Sequence, residues 1–115
     1  MSEHQSVVRL GLDVGGTNLR LGVFKGMALL EECRFQANYG LLCKQNTPVL
    51  AWKAILEVTA NAIRSMQDKY PAIESIGIGF PGFIDPDSGV LAQSPNLPGL
   101  VNVNLSADLS ALLAL

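Results

Sequence analysis

The sequence predicts an α/β fold in which a small sheet packs against helices, and three patterns support that prediction. Residues 7–12 and 19–24 alternate apolar and polar side chains with the period of two that marks a half-buried strand. Residues 47–69 place apolar side chains three or four positions apart, as an amphipathic helix does. An isoleucine-rich run at 73–80 follows, and a strand reached through a helix usually pairs in parallel with an earlier one.

The first strands are predicted to form a three-stranded antiparallel meander. The segment 14–18, which contains two adjacent glycines, joins the first two strands as the turn of a β-hairpin. Lys25-Gly26-Met27 is the next turn, and residues 28–36 are the third strand. We expect the following segment, 37–46, to be irregular.

Thr47 and Pro48 mark the start of the predicted helix, because threonine is a favourable N-cap and proline suits the first helical position. The helix is expected to end near Lys69, because Pro71 disfavours helical backbone at the residue before it. Its predicted apolar face consists of Val49, Trp52, Leu56, Thr59 or Ala60, Ile63 and Met66.

The C-terminal third predicts a hairpin extension and a final helix. Residues 83–91 contain an Asp-Pro-Asp-Ser-Gly turn, whose proline and glycine favour a type I turn closed by a bulge. Residues 93–104 are expected to be a loop. Leu105 then begins the last helix, with Asn104 or Ser106 as its cap.

Composition limits the classes of function. The 115 residues correspond to one domain, and 49% hydrophobic against 16% charged residues argues against disorder. A net charge of −2 leaves no basic surplus for nucleic acid. We find no bilayer-spanning apolar run and no signal-peptide pattern, so we expect a cytoplasmic protein without a membrane partner. Cys33 and Cys43 lack zinc-site spacing and are expected to be free thiols.

The first candidate site is the segment Asp-Val-Gly-Gly-Thr-Asn-Leu-Arg at 13–20. Gly15 and Gly16 would let backbone N–H groups approach a phosphate, because no Cβ stands in the way. Thr17 adds a hydroxyl donor, and Asp13 could hold a hydrated Mg²⁺ through its waters. The pattern matches neither G-x-G-x-x-G nor G-x-x-x-x-G-K-[ST]. The alternative is a plain hairpin turn whose glycines supply positive φ angles.

Two more segments combine glycine, proline and polar residues. Gly77–Gly82 ends the isoleucine-rich run and could form a backbone wall for a small polar ligand, with the Gly82 amide exposed. A simple strand break is the alternative. Ser94–Gly99 contains Asn96, whose amide could bind the hydroxyls of a ligand. An ordinary turn, with the asparagine bonded to its own backbone, is the alternative there.

Together these motifs resemble the ROK family of bacterial sugar kinases, within the actin-like, ribonuclease-H-like ATPase superfamily. Residues 13–20 are similar to the family's D-x-G-G-T-x-x-R phosphate motif. Residues 76–96 are similar to its Pro-Gly, Asp-Pro, Gly-Val-Leu and Ser-Pro-Asn-Leu-Pro-Gly series. The resemblance extends from 8 to 113. It implies an N-terminal ROK-type lobe over 7–115, preceded by a flexible tail at 1–6.

The resemblance implies phosphoryl transfer from Mg·ATP to a hydroxyl of a hexose or an amino sugar. The residues that it assigns to the ATP side are Asp13, Gly15, Gly16, Thr17, Asn18 and Arg20. Asp13 would also contact Mg²⁺ through water, whereas Pro81, Gly82 and Asn96 would line the sugar side. Arg20 stays open between a phosphate contact and a structural pairing with a carboxylate.

The resemblance also shows which parts of the family this chain does not match. Family members are more than twice as long, and their catalytic base is the aspartate of an Asn-Asp pair, which this sequence lacks. The family's zinc loop and adenine-binding lobe have no match either. The last helix runs to Leu115 without a C-cap, so we expect a truncated lobe that does not phosphorylate sugars alone.

Two alternative functions stay open. One is a non-catalytic module that binds a sugar or a nucleotide. The other is the sensor part of a ROK transcriptional repressor, although such repressors carry a DNA-binding helix-turn-helix ahead of the motif and only a few polar residues precede the first strand here. A sheet cut after the last helix exposes unpaired N–H and C=O groups. We therefore expect a homo-oligomer formed through that edge or the last helix.

Overall fold

The computed structural model describes residues 7–85, 87–94 and 97–113; the predicted tail at 1–6 lies outside them. In this part of the chain the strands are β1 Val8–Val14, β2 Asn18–Lys25, β3 Ala28–Gln36, β4 Ile73–Gly79, β5 Phe83–Ile84, β6 Val90–Gln93 and β7 Val103–Asn104. The helices are α1 Tyr39–Gln45, α2 Pro48–Lys69 and α3 Leu105–Leu113. None of these helices is both long and apolar enough to cross a membrane.

The main sheet has the strand order β3-β2-β1-β4. β1 and β3 both pair with β2 in antiparallel fashion, which confirms the predicted meander. β4 pairs with β1 in parallel, as expected for a strand that follows a long helix. The register places Gly11 opposite Gly22 on one side and Gly77 on the other.

One face of this sheet forms the core. Its buried strand residues are Val8, Leu10, Leu12, Val14, Leu19, Leu21 and Val23. The buried residues of α2 that belong to the same hydrophobic cluster include Ala51, Trp52, Ile55, Ala60, Ile63 and Met66. The opposite face of β1 and β2 carries the polar and glycine positions, so the alternation seen in the sequence sets which side α2 covers.

Two sequence-based expectations about the helices are wrong. The segment 37–46 contains the helix α1, not irregular chain. Tyr39 at its start is completely buried, and its hydroxyl lies 2.7 Å from Thr59 Oγ1 on α2, so a tertiary contact stabilises a helix too short to be stable alone. Val49, predicted on the apolar face of α2, is 79% exposed, whereas Ile55 occupies the centre of that face.

A second, three-stranded sheet with the order β5-β6-β7 contains the predicted hairpin. The Gly89 N–H donates to the Asp85 carbonyl at 2.8 Å and closes the turn; Pro86 lies outside the described residues. The expectation of a loop over 93–104 is wrong at both ends, because Gln93 belongs to β6 and Val103–Asn104 forms β7, which pairs with β6. Asn104 is the cap of α3, since its Oδ1 accepts from the Ala107 N–H at 3.0 Å.

Trp52 joins three elements. Its indole N–H donates to Asp108 Oδ2 at 2.7 Å, which ties α3 to α2. Its ring meets Phe80, directly after β4, in an edge-to-face contact with centroids 6.2 Å apart. Arg64 on α2 donates a further hydrogen bond to the Leu112 carbonyl of α3 at 2.9 Å. The last helix is therefore held by polar contacts as well as by its apolar side.

The burial pattern predicts a sharp difference between two identical substitutions. Leu19 is completely buried, so Leu19→Ala should lower the free energy of unfolding by about 3 kcal/mol through lost burial and a residual cavity. Leu50 is 55% exposed, and Leu50→Ala should change the free energy of unfolding by less than about 0.5 kcal/mol. Urea unfolding followed by circular dichroism measures both values. Equal losses would contradict the assigned core.

Candidate functional site

The turn between β1 and β2 is fixed from one side by the segment that leads into α1. The Gly16 carbonyl accepts a hydrogen bond from the Gly40 N–H at 2.9 Å. The Thr17 carbonyl accepts from the N–H groups of Ala37 and Asn38, both at 2.9 Å. These three bonds hold the turn in one orientation against the start of α1.

The same bonds leave backbone N–H groups of the turn unused. The Gly16 carbonyl and the Thr17 N–H belong to one trans peptide, so they point in opposite directions. Because the carbonyl faces α1, the Thr17 N–H points away from it. Among the hydrogen bonds of residues 7–85, 87–94 and 97–113, none has the N–H of Gly16 or Thr17 as its donor. The turn therefore offers donors to an acceptor from outside the chain.

The glycines of this turn do not adopt positive φ angles. In the described chain the glycines with positive φ are Gly26, Gly82, Gly89 and Gly99. Gly15 and Gly16 are not among them, so the alternative of a plain turn that needs positive φ at these positions is wrong. A Cβ at Gly15 would lie 3.3 Å from the Asn18 carbonyl oxygen, which is closer than most real Cβ contacts.

Asp13 lies at the end of β1 on the exposed face of the sheet. Gly79 is its neighbour on β4, and a Cβ there would lie 3.8 Å from Asp13 Oδ1. The glycine thus leaves open space in front of the carboxylate. A single accessible carboxylate fits Mg²⁺, because this ion keeps several of its waters and needs few protein oxygens.

Arg20 is paired with a carboxylate in this structure. Its Nη2 lies 2.8 Å from Glu32 Oε1 on the neighbouring β3, and both side chains are about half exposed. The hydrogen bond from Arg20, followed by its charge, lowers the pKa of Glu32 from its ordinary value. The same pair raises the pKa of Arg20. Of the two roles that the sequence leaves open, the geometry shows the structural one.

The sugar-side candidates follow β4. Gly82 is exposed and has a φ of 136°, a conformation that side-chain-bearing residues rarely adopt. Pro81 precedes it, and Phe80 anchors the segment to Trp52. Asn96 lies outside the described residues, so its placement stays a prediction. Ser94, two positions earlier, is buried, and its Oγ has no hydrogen-bond partner within the described chain.

A cleft of about 570 Å³ opens beside the turn, within the usual size range of ligand pockets. The described residues that line it are Gly16, Thr17, Asn38, Gly40, Leu41, Lys44 and Pro98. The first and third sequence motifs, 13–20 and 94–99, therefore meet at one site. Lys44 could not be identified as a residue of this cleft from the sequence, because α1 is too short to show a recognisable helical period.

The structure does not bring all the predicted residues together. Asp13, Arg20 and Glu32 line a separate groove on the open face of the sheet. Gly16 and Thr17 line the cleft against α1 instead. The segment 13–20 thus presents a carboxylate on the open sheet face and backbone donors at the turn.

Comparison with known proteins identifies the family. The model described as "ROK family" matches residues 9–115, nearly the whole chain. The chain belongs to the ROK family. Its lobe has the ribonuclease-H-like fold of the actin-like ATPases, as the sequence predicts.

Relatives of this ROK chain include sugar kinases. An N-acetyl-D-glucosamine kinase from Salmonella newport is 30% identical over 101 residues, which are 88% of this chain and 30% of that kinase. The crystal structure of the ROK hexokinase from Thermus thermophilus is 27% identical with a TM-score of 0.72, covering 94% of this chain and 33% of the hexokinase.

The fold is also that of a kinase solved with ligands. A ROK family glucokinase from Streptomyces griseus, in complex with glucose and AMPPNP, is 19% identical with a TM-score of 0.73 over 94% of this chain and 31% of that one. The ROK chain described here thus spans about a third of the length of these relatives.

The Arg20–Glu32 pair predicts a pH effect with a definite sign. Because the folded-state pKa of Glu32 is lowered, its stabilising contribution is present above the pKa of the unfolded state. The contribution is lost as the pH falls through the lowered, folded-state value. Arg20→Gln should return the Glu32 titration, followed by carboxyl ¹³C NMR, toward that of an ordinary glutamate.

Arg34→Gln is the matched control, since Arg34 acts on Glu32 only through its charge and ranks after Arg20 among the causes. It should shift the titration less. A Glu32 titration that is the same in Arg20→Gln and in the wild type would contradict the ion pair between Arg20 and Glu32.

Proposed function

We propose that this chain is the phosphate-binding and partly sugar-binding lobe of an ATP-dependent hexose or amino-sugar kinase. The observation that carries the proposal is the Gly15–Thr17 turn, where a ROK phosphate motif presents unused backbone donors beside the loop of the third motif. The kinases named above, one of them solved with glucose and a nucleotide analogue, support the classes of ligand. Because the chain spans about a third of their length, the activity of a whole kinase is part of the proposal.

The turn is assigned to the phosphates of ATP. The N–H groups of Gly16 and Thr17 and the Thr17 hydroxyl would donate to phosphate oxygens, as backbone nests do at anion sites. Asp13 would hold the waters of Mg²⁺, and this ion would supply charge neutralisation of the phosphates. Asn18 extends the nucleotide side, and Arg20 would join it only by exchanging Glu32 for a phosphate.

The sugar side is assigned to Pro81, Gly82 and Asn96. The open Gly82 backbone would face the sugar, and the Asn96 amide would bind its hydroxyls. In such transfers the protein contributes mainly by positioning the two substrates and stabilising charge. The chain lacks an Asn-Asp pair to take the proton from the sugar hydroxyl, so we expect it to bind its ligands without turnover.

A matched pair of glycine substitutions tests the phosphate site. Gly15→Ala forces its Cβ within 3.3 Å of a backbone oxygen and should displace the turn, whereas a Cβ at Gly77 meets nothing within 4 Å. Isothermal titration with Mg·AMPPNP should show about tenfold weaker binding for Gly15→Ala, as expected for one lost hydrogen bond to a charged group. Gly77→Ala should bind like the wild type.

Three results would count against the proposal. If the wild-type chain does not bind Mg·AMPPNP, the proposed phosphate site does not exist. If Gly15→Ala binds Mg·AMPPNP as tightly as the wild type, the phosphate site is not at the turn. Hexose-dependent ADP release by the chain alone contradicts the missing base. A sensor part of a ROK repressor would bind the sugar without requiring Mg·AMPPNP, so titration with glucose and N-acetylglucosamine separates this alternative.

Self-association in the cytoplasm is the second part of the proposal. β4 is an outer strand of the described main sheet. A groove of about 240 Å³ runs beside it between α2 and α3 and is lined by Ile63, Ile76, Leu109 and other residues. A second copy would cover this edge and groove. Sedimentation should show a dimer or larger species at high concentration; a monomer under those conditions would rule it out.

A further inference from the structure

The strand β3 has one edge without a partner strand in the described part of the chain. It lies at the end of the order β3-β2-β1-β4, where it pairs with β2. With nine residues it is longer than most strands. The N–H and C=O groups along such an edge can pair with a further strand, so natural proteins usually cover or disrupt it.

Charged side chains, which normally keep an edge from pairing, are largely neutralised on β3. Glu32 forms its ion pair with Arg20, and Glu31 forms one with Lys69. Arg34 differs, because its direct neighbour on β2 is Arg20, a like charge. The ion pairs among the described residues do not include Arg34. This arginine would therefore gain from a carboxylate brought to the open edge.

A second copy of β3 supplies that carboxylate in one register. Because side chains alternate between the two faces of a strand, a two-fold axis between antiparallel copies must pass through a residue. An axis at Glu32 or at Arg34 would oppose like charges. An axis at Cys33 places each Glu32 opposite Arg34 of the other copy, and the symmetry makes this contact twice.

The axis at Cys33 also suits the form of the strand. It pairs residues 31–35 with the same segment of the second copy in reverse. The register with β2 skips Leu30, so this bulge lies just outside the paired segment. Leu30 and Phe35 are 45% and 40% exposed, and a strand added at this edge would cover part of both side chains.

We propose that the open edge of β3 is a homodimer interface, in which two copies pair antiparallel about a two-fold axis at Cys33. The two four-stranded sheets then continue into one. Main-chain hydrogen bonds give such strand addition its affinity, and the two Glu32–Arg34 contacts set its register. The contact uses the edge opposite to β4, and it does not depend on the proposed phosphate site.

Cys33 supplies the test, because residues directly opposite each other on antiparallel strands lie within the Cα separation that a disulfide spans. Diamide oxidises two thiols to one disulfide and takes up their two protons and two electrons as it becomes a hydrazine. Cys43 is the second free cysteine. The wild type and Cys43→Ala should give a covalent dimer on a non-reducing gel, whereas Cys33→Ser should not.

Charge variants test the register. Arg34→Glu opposes two carboxylates at each contact and should lower the yield of cross-linked dimer about tenfold. Glu32→Arg combined with Arg34→Glu restores opposite charges and should restore the yield. Arg9 is an exposed arginine on β1, so Arg9→Glu makes the same change of charge away from this edge and should cross-link like the wild type. Alkylation by iodoacetamide, followed in parallel, corrects the yields for changes in thiol reactivity.

Sedimentation of the same proteins separates this contact from the one proposed at β4. A wild type that dimerises without a cross-link through Cys33 overturns the inference and leaves the β4 contact in place. Equal corrected yields for the wild type and Arg34→Glu overturn it as well. A wild type that stays monomeric at high concentration and forms no cross-link overturns both contacts, and Mg·AMPPNP binding still decides the phosphate site separately.

Discussion

The candidate site depends on the carbonyl oxygen of Thr17, which accepts two hydrogen bonds at once. Two successive N–H groups, from Ala37 and Asn38, reach this single oxygen where the chain leaves β3. The bonds join the first turn of the sheet to the start of α1 and decide which way the peptides of the turn face. The unused donors of the turn and its place in the wall of the cleft both follow from that orientation.

The open face of the sheet has a different character from the core face. Gly22, Gly11 and Gly77 stand opposite one another on β2, β1 and β4. The Phe24 ring lies over Gly22 and Gly11, so it fills the space that the first two glycines leave. Asp13 lies on the same face, beside Gly79. Gly79 leaves space beside the carboxylate, which suits an ion that arrives with its waters.

The elements with strong periodic patterns could be predicted from the sequence. Alternation over β1 and β2 and the long apolar stripe of α2 gave the meander, the helix and the parallel partner strand. The structure departs from those predictions where tertiary contacts decide. α1 has seven residues and depends on Tyr39 packing against Thr59, and β7 has two residues paired with β6. Both elements are too short to produce a hydrophobic periodicity that can be recognised in the sequence.

In the candidate site, too, the local pattern could be predicted from the sequence and the tertiary contacts could not. The segment 13–20 could be located, because its residues resemble the D-x-G-G-T-x-x-R motif of the ROK family. The orientation of the turn could not, since it depends on partners about twenty residues away. Arg20 shows the limit clearly: the sequence permits a phosphate or a carboxylate, and only the pairing of β2 with β3 brings Glu32 to it.

Trp52 is the chain's sole tryptophan, and its position has an optical consequence. The indole touches the end of β4 through Phe80 and donates its N–H to Asp108 on α3. Its fluorescence is therefore emitted from the junction between the Pro81–Gly82 segment and the last helix. A shift of either element changes the polarity and hydrogen bonding of one chromophore, so the protein carries its own label beside the Pro81–Gly82 segment.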